Sequence, residues 1–234
     1  MRATNGRFVS GMYQYDHQLL SKLEASARGA GRIQVKVVPI AHGLEDIIGV
    51  STGYRSPGLH ASEIYNDLYQ DLEPKRYKRG TTPNPLYLEM GLMLEHILEE
   101  ALVRRLSNLE RPSEFMTKEG IAYSPDGLEF CPDGSIVLLE YKCTTMSSKD
   151  MPHEPGNGFP PKFDKYMTQM KFYARNLGTT KARLYVFFVV GNYAPPVPEL
   201  LVWDLEFTQQ ELEECHRMMI NHARSKPYLR ERLK

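Results

Sequence analysis

The sequence has 234 residues, of which 41% are hydrophobic and 25% are charged, a composition typical of one folded domain or of two small ones. Its 29 basic and 29 acidic side chains cancel, which argues against a protein that binds nucleic acid through net charge alone. An enzyme that binds a few phosphates locally remains compatible with this balance. The scattered cysteines exclude a disulfide framework and a CxxC zinc site, and no apolar run approaches the ~20 residues of a membrane helix. We therefore expect a cytoplasmic protein.

Predicted helices and strands alternate along the chain. Helices are expected at residues 15–28, 62–72, 85–106 and 162–177, with a final helix after the capping box Thr208–Glu211. Strands are expected at residues 35–40, within 115–143, and at 184–190 and 200–207. A long loop rich in Ser, Pro and Gly covers residues 144–161. The alternation predicts a layered α/β domain.

A hairpin at residues 123–142 carries the most informative pattern. Pro132-Asp133-Gly134 suits a three-residue loop, because Pro favours the first position of a type I turn and Gly the left-handed position that closes it. In that register Cys131 lies opposite Ser135. Asp126 then lies opposite Glu140, whereas a two-residue turn would place Asp126 on the other face.

The same register places Lys142 on the face that carries Asp126 and Glu140. Opposed carboxylates, with Cβ atoms about 4.5–5.5 Å apart, repel by roughly 4 kcal/mol at an effective dielectric of 20. A cation must therefore lie between them, and two carboxylates beside an open loop suit Mg²⁺ or Mn²⁺. Either acid alone is explained by an ordinary surface hairpin, but the three residues together favour a functional site.

Two predicted helices supply further polar candidates. Glu95 lies within a largely apolar stripe of the helix at 85–106, where an ionised carboxylate is costly unless it is paired. The sequence leaves open whether Glu95 belongs to a site or lies at the edge of that face. Gln169 and Tyr173 are four residues apart and share a helix face. Core packing accounts for Tyr173 but not for Gln169.

A phosphate-binding corner is the third candidate. Arg55 precedes the predicted helix that Ser62 opens, and a helix start offers unpaired N–H groups to an anion. The guanidinium of Arg55 and the hydroxyl of Ser62 would complete a pocket for a terminal phosphate. Taken alone, Ser62 as a simple N-cap is the better interpretation.

These segments together resemble a known family. Ser124-Pro-Asp-Gly-Leu128 and Leu139-Glu-Tyr-Lys-Cys143 resemble the PD-(D/E)xK nuclease signature, in particular that of the phage lambda exonuclease, or YqaJ-like viral recombinase, family. Three further segments are similar to motifs of that family in order and spacing. They are Arg55 with Ala61-Ser62-Glu63-Ile64 (the 5′-phosphate pocket), Gly91-x-x-x-Glu95 (the first acidic motif) and Tyr166-Met167-x-Gln169-x-x-x-Tyr173 (the glutamine helix).

The resemblance implies a fold and a set of site residues. The fold is a restriction-endonuclease-like core, a central mixed β-sheet flanked by helices, at residues 51–234, with residues 1–50 as an N-terminal extension. The implied metal ligands are Glu95, Asp126, Glu140 and the Tyr141 carbonyl, for Mg²⁺ with Mn²⁺ as a substitute. Lys142 would orient or activate the attacking water, and Gln169 would steady Lys142 or the phosphate. Arg55, Ser62 and Tyr173 are assigned to the substrate.

The resemblance also implies an activity and partners. The family degrades linear double-stranded DNA 5′→3′ from 5′-phosphorylated ends during phage-type recombination, in the cytoplasm of a bacterium or phage-infected host. A single-strand annealing protein and a trimeric ring of identical chains are the implied partners. Two alternatives remain open at this stage, namely a structure- or sequence-specific endonuclease on the same core and a non-catalytic module that binds DNA ends. The connector Lys75-Arg76-Tyr77-Lys78-Arg79 either contacts backbone phosphates or is a solvated linker.

Overall fold

The computed structural model describes residues 56–79, 85–104, 108–152, 158–189 and 198–234, and for residues 85–89 the backbone alone. All of them belong to the unit Thr52–Lys234. The helix predicted at 15–28, the strand predicted at 35–40 and Arg55 lie outside the described residues. The division into residues 1–50 and 51–234 therefore stays a prediction. Within the described ranges, no helix is both long enough and apolar enough to span a membrane.

The described elements follow the predicted alternation of helices and strands. The helices are α1 (Ala61–Leu72), α2 (Pro85–Val103), α3 (Asp164–Leu177), α4 (Gln209–Ser225) and α5 (Pro227–Arg230). The strands are β1 (Leu59–His60), β2 (Leu109–Glu110), β3 (Phe115–Met116), β4 (Ile121–Tyr123), β5 (Gly127–Phe130), β6 (Ile136–Thr144), β7 (Lys181–Phe188) and β8 (Glu199–Glu206). Single turns of 3₁₀ helix occur at Ser148–Asp150 and Pro161–Phe163.

Two sheets organise these strands. The larger has the order β2-β5-β6-β7-β8, in which β6 and β7 are parallel and all other neighbours are antiparallel. The smaller has the order β1-β4-β3, with β1 parallel to β4. The β6–β7 connection contains α3, as a parallel pair requires a crossover. The predicted fold class, a mixed β-sheet flanked by helices, is confirmed.

Strand β6 is central because both of its faces are covered. Leu138 belongs to the main core, which also contains residues of α1, α3 and α4. Leu139 and Tyr141 point to the opposite face, where they form a second apolar cluster with Leu98 of α2. Alternate residues of a strand face opposite sides. Glu140, two residues after Leu138, therefore lies on the face of β6 that meets the main core.

The β5–β6 hairpin has the predicted three-residue loop. The Cys131 N–H donates to the Ser135 carbonyl at 2.9 Å, and Gly134 adopts the left-handed conformation with φ 81°. Leu128 pairs with Leu138. Continuing this register by two residues on each strand places Asp126 opposite Glu140, as predicted.

Three helix ends can be compared with the sequence, and the residues expected to end α3 and to cap α4 do so. Gly178 ends α3 with φ 73°, and Thr208 caps α4 by accepting the Glu211 N–H at 3.2 Å. Helix α1 differs from the prediction, because it begins at Ala61 and its N-cap is His60, whose N–H donates to Glu63 Oε1 at 3.0 Å. Ser62 is therefore not a cap but the second residue of the helix.

Candidate active site

Three carboxylates from three elements surround the ammonium of Lys142. Its Nζ lies 2.5 Å from Glu140 Oε1, 3.7 Å from Asp126 Oδ2 and 4.0 Å from Glu95 Oε1. Glu140 and Lys142 are on β6, Asp126 directly precedes β5, and Glu95 is on α2. The structure thus brings together the four charged residues that the sequence nominated for catalysis and metal binding. We call these four residues the acidic cluster.

The backbone of the hairpin holds Asp126 in place. Its Oδ2 accepts the Tyr141 N–H at 2.8 Å, and the Tyr141 carbonyl accepts a hydrogen bond from Lys142 Nζ at 2.9 Å. The next residue is Gly127, where a Cβ atom would lie 2.9 Å from the Tyr141 hydroxyl. Glycine therefore lets the Tyr141 side chain pack directly under the residue that follows Asp126. The Tyr141 carbonyl oxygen therefore faces the Lys142 ammonium, and its role as a metal ligand stays a prediction.

Gln169 connects α3 to the acidic cluster. Its Nε2 donates a hydrogen bond to Glu140 Oε1 at 2.6 Å. Glu140 is fully buried, yet its other oxygen, Oε2, has no hydrogen-bond partner among the described residues. A buried carboxylate oxygen without a partner is costly, because it has lost its hydration. Glu140 Oε2 is therefore an available ligand atom.

Burial and mutual repulsion make it costly for the carboxylates of the cluster to be ionised. Burial, followed by the nearby Asp126, raises the pKa of Glu140 to about 8, although Lys142 opposes the shift. Burial also raises the pKa of Glu95 to about 7, with Lys142 opposing and Asp126 adding to the shift. For Lys142, burial alone would lower the pKa, but the three carboxylates outweigh it and raise the pKa well above its ordinary value. A second cation would relieve the repulsion that remains.

The donor set fits a divalent metal ion. Asp126, Glu140 and Glu95 offer carboxylate oxygens and Tyr141 offers a carbonyl oxygen, the ligand types that Mg²⁺ and Mn²⁺ prefer. The unpaired Glu140 Oε2 is the observation in favour of this fit. Their role as metal ligands stays a prediction.

A second group of potential ligands lies elsewhere. Asp67, Asp71 and His222 place ligand atoms within 4.8 Å of one another. Their carboxylate oxygens are already paired, however. Asp67 binds His222 at 2.7 Å and accepts from the Tyr228 hydroxyl at 2.5 Å, while Asp71 binds Lys226 at 2.6 Å and Arg79 at 2.5 Å. The group is an ion-pair network that ties α1 to the region of α5.

The predicted substrate residues are more dispersed. Arg55 lies outside the described residues, and Ser62 lies half-buried in the first turn of α1. Tyr173 is 4% exposed in the main core, where its ring centroid lies 5.4 Å from that of Tyr123. The charges of Glu140, Asp126 and Lys142 act on the Tyr173 hydroxyl, so its hydroxyl end lies near the acidic cluster while its ring packs in the core. A contact between Tyr173 and substrate stays a prediction.

The basic connector after α1 is tied to acidic residues of the same chain. Arg76 pairs with Glu73 at 2.5 Å, and Arg79 pairs with Asp71 at 2.5 Å. Arg79 also lies 3.3 Å from Asp67. These ion pairs fix the two arginines on the protein and occupy their guanidinium groups, so they do not decide between a solvated linker and a contact with backbone phosphates.

Sequence reasoning missed Tyr65 of α1. Tyr65 is 8% exposed, and burial raises the pKa of its hydroxyl, on which the charges of Lys142, Glu140 and Asp126 also act. Tyr65 therefore lies beside the acidic cluster. Its position three residues after Ser62 places both on one side of α1. Nothing in the local sequence indicates which element that side contacts.

Comparisons with known proteins give structural neighbours only. No protein-family model and no curated protein matches the chain. Among solved structures, the chain is similar to an alkaline exonuclease (LHK-Exo) from Laribacter hongkongensis, with 15% identity, a TM-score of 0.46, and coverage of 72% of this chain and 87% of that chain. It is similar to a phage-related exonuclease from Haemophilus somnus 129PT, with 15% identity, a TM-score of 0.46, and coverage of 70% and 79%. A third neighbour, SSO0001, has 12% identity, a TM-score of 0.47, and coverage of 76% and 81%.

Proposed function

We propose that this chain is a metal-dependent deoxyribonuclease of the phage lambda exonuclease (YqaJ-like) type. The observation that carries the proposal is the convergence of Asp126, Glu140 and Lys142 within 4 Å, with Glu140 Oε2 buried and lacking a partner among the described residues. In a non-catalytic module, nothing would offset the cost of a buried, unpaired carboxylate oxygen beside two further acids. The arrangement suits hydrolysis of a phosphodiester, in which charge develops on phosphate oxygens.

Mg²⁺, or Mn²⁺ in its place, would be held by Asp126, Glu140, Glu95 and the Tyr141 carbonyl. A metal ion held there would lower the pKa of a water ligand and would shield the charge that develops on the phosphate. Gln169 would assist by holding Glu140 Oε1, since Oε2 then has no partner among the described residues and remains available as a ligand.

We assign Lys142 the role of the side chain that contacts the reacting atoms. Its ammonium is fixed by Glu140 Oε1 at 2.5 Å and by the Tyr141 carbonyl at 2.9 Å, so that its position is defined before substrate binds. A preorganised ammonium stabilises negative charge that develops nearby and orients the attacking water. Lys142 therefore supplies electrostatic stabilisation at the bond that breaks.

The preferred substrate in this proposal is a linear DNA duplex with a 5′-phosphate, degraded 5′→3′. Ser62 supports it, since Ser62 lies in the first turn of α1, where N–H groups and the helix dipole attract an anion. Tyr65, one turn further along α1, lies beside the acidic cluster. Arg55 completes the proposed phosphate pocket. The role in recombination, a single-strand annealing partner and a trimeric assembly are carried by the resemblance.

Digestion of three DNAs tests substrate and polarity together. They are a linear duplex with 5′-phosphate, the same duplex with 5′-hydroxyl, and a closed circle, each with Mg²⁺ and with EDTA. We expect loss of the phosphorylated linear duplex only, and only with metal. Cutting of the circle would overturn the exonuclease proposal in favour of an endonuclease, and equal loss of both linear duplexes would overturn the 5′-phosphate pocket.

A variant pair tests the phosphate pocket directly. Arg55→Ala should erase the discrimination between the two linear duplexes while the chain still hydrolyses DNA. Arg104→Ala is the matched control, because Arg104 is an exposed arginine that pairs with Glu100 at 3.2 Å. Discrimination that survives in Arg55→Ala would place the phosphate pocket elsewhere.

A further inference from the structure

A cavity of about 190 Å³ opens beside Lys142. It lies between the segment that follows α1, the end of β6 and the start of α3. Its walls combine aromatic rings with cations, among them Tyr77, Tyr166, Arg76, Lys162 and Lys165. Lys142 lines the same cavity, so the cavity and the acidic cluster share one residue. We call this cavity the basic pocket.

Two lysines of the basic pocket have only neutral partners. Lys165 Nζ donates to Asn66 Oδ1 at 3.1 Å, and Lys162 Nζ lies 3.5 Å from Thr144 Oγ1. Neither lysine forms an ion pair with a carboxylate of any described residue. Burial lowers the pKa of both ammonium groups. The charge of Asp150 opposes this shift at Lys162, whereas the charge of Lys142 adds to it at Lys165. An anion in the pocket would therefore stabilise both ammonium groups, and Lys165 in particular.

Other lysines of the same fold are paired. Lys171, also on α3, binds Glu211 at 2.9 Å, and Lys226 binds Asp71 at 2.6 Å. Lys165 therefore differs from Lys171 of the same helix in having no carboxylate partner among the described residues. Unpaired, partly buried cations beside a proposed phosphodiesterase centre indicate a site for a phosphate group.

Aromatic rings complete the basic pocket. The Lys165 ammonium lies 5.2 Å from the ring centroid of Tyr77 and 5.7 Å from that of Tyr166. Lys142 lies 5.3 Å from the ring centroid of Tyr166. Alternating cations and rings are what a groove for a nucleic-acid strand presents, since phosphates meet the cations and bases or sugars meet the rings.

The size of the basic pocket favours part of a long substrate. Sites that enclose a whole small molecule measure roughly 300–1,000 Å³, and this pocket holds about 190 Å³. We propose that the basic pocket binds one backbone phosphate of the DNA strand, through Lys162 and Lys165, with the adjoining nucleoside against Tyr77. Because Lys142 borders both the basic pocket and the acidic cluster, this phosphate would be close along the strand to the phosphodiester that is hydrolysed. The proposal rests on the proposed function and names the path of the strand beyond the acidic cluster.

Equilibrium DNA binding tests the basic pocket without turnover. Binding of a fluorescein-labelled linear duplex is measured in EDTA by anisotropy over a series of salt concentrations, for the wild type, Lys162→Gln and Lys165→Gln. Each substitution should weaken binding about 3- to 10-fold and reduce the slope of log K against log salt by about 0.9, the value for one lost phosphate contact. Lys171→Gln is the matched control on the same helix and should change neither quantity. Thermal unfolding of each variant verifies its fold.

A third variant separates the ring from the charges. Tyr77→Leu removes the aromatic face and should weaken binding while leaving the salt slope unchanged, because no phosphate contact is lost.

Wild-type affinity and slope in both Lys162→Gln and Lys165→Gln would overturn the basic pocket. Failure of the proposed function gives a different result. If the wild type does not hydrolyse DNA but the two lysine variants bind it more weakly, the basic pocket is supported and the proposed nuclease activity is overturned. If the wild type hydrolyses DNA and the variants bind it as the wild type does, the proposed nuclease activity is supported and the role of the basic pocket is overturned.

Discussion

Gln169 and Glu140 meet at 2.6 Å, with the Gln169 amide donating to Oε1 of a carboxylate that is fully buried. The contact joins the middle of α3 to the middle of β6. Lys142 approaches the same oxygen at 2.5 Å. Oε1 is thus satisfied twice, while Oε2 has no partner within the described part of the chain. This asymmetry leaves one oxygen of Glu140 bound by the protein and the other available as a ligand atom.

Gln169→Ala tests that asymmetry. Loss of the amide lets Glu140 turn, so metal affinity or activity should fall about 10- to 100-fold, the usual effect of removing a group that orients a metal ligand. Turnover measured over a range of Mg²⁺ concentrations separates the two effects. Gln210→Ala is the control, because Gln210 is bonded to Glu214 on the exposed side of α4. Equal loss in both variants, or none in Gln169→Ala, would contradict the assignment.

Metal ions should stabilise the folded chain. A ligand that binds only the folded state contributes RT ln(1 + [L]/Kd), about 2.7 kcal/mol at a hundredfold excess over Kd. Thermal unfolding should therefore shift upward with Mg²⁺ or Mn²⁺ in the wild type, and the shift should vanish in Glu140→Gln. Asp71→Asn keeps the acidic cluster intact while altering the ion-pair network of Asp67 and Lys226, and it should retain the shift. A shift lost in Asp71→Asn and kept in Glu140→Gln would move the metal site to that network.

The start of α4 offers a test of stability independent of the site. Thr208 accepts the Glu211 N–H, and Glu211 Oε2 accepts the Thr208 N–H at 2.9 Å. Thr208→Ala removes a cap and should lower the free energy of unfolding by about 1 kcal/mol, measured by urea titration. Ser225→Ala at the other end of the helix is the comparison, and its loss should be smaller. Equal losses would mean that the cap does not act as described.

Glu211 also gives this region a defined pH dependence. Hydrogen bonds from the Thr208 backbone and from Lys171 lower its pKa from 4.5 to about 2. The folded pKa is below the unfolded one, so the contribution is present above pH 4.5 and is lost as the pH falls towards 2. The difference in unfolding free energy between wild type and Glu211→Gln should shrink over that range. A constant difference would contradict the lowered pKa.

Much of the site could be predicted because its core is local. Asp126, Glu140 and Lys142 belong to one hairpin, and the residues of its turn determine which side chains oppose each other. The Cys131–Ser135 hydrogen bond shows that the three-residue loop was the right choice. Gln169 could be nominated because packing did not account for a glutamine on a helix face with buried neighbours.

Other features depend on contacts between distant parts of the chain. Glu95 approaches Lys142 only because α2 packs against β6, which a helical stripe does not reveal. Tyr65 and the basic pocket likewise require the mutual placement of α1 and α3. The start of α1 was predicted one residue late, because His60 is not among the residue types that favour an N-cap.

The most direct test of the central claim is hydrolysis of a 5′-phosphorylated linear duplex by wild type and Lys142→Ala, with Mg²⁺ and with EDTA. Binding of the same duplex is measured in parallel, and Lys181→Ala is an exposed lysine control. We predict that the wild type and the control degrade the duplex only with Mg²⁺, and that Lys142→Ala binds the duplex but leaves it intact. Degradation by Lys142→Ala at the wild-type rate, or by the wild type in EDTA, would contradict the account.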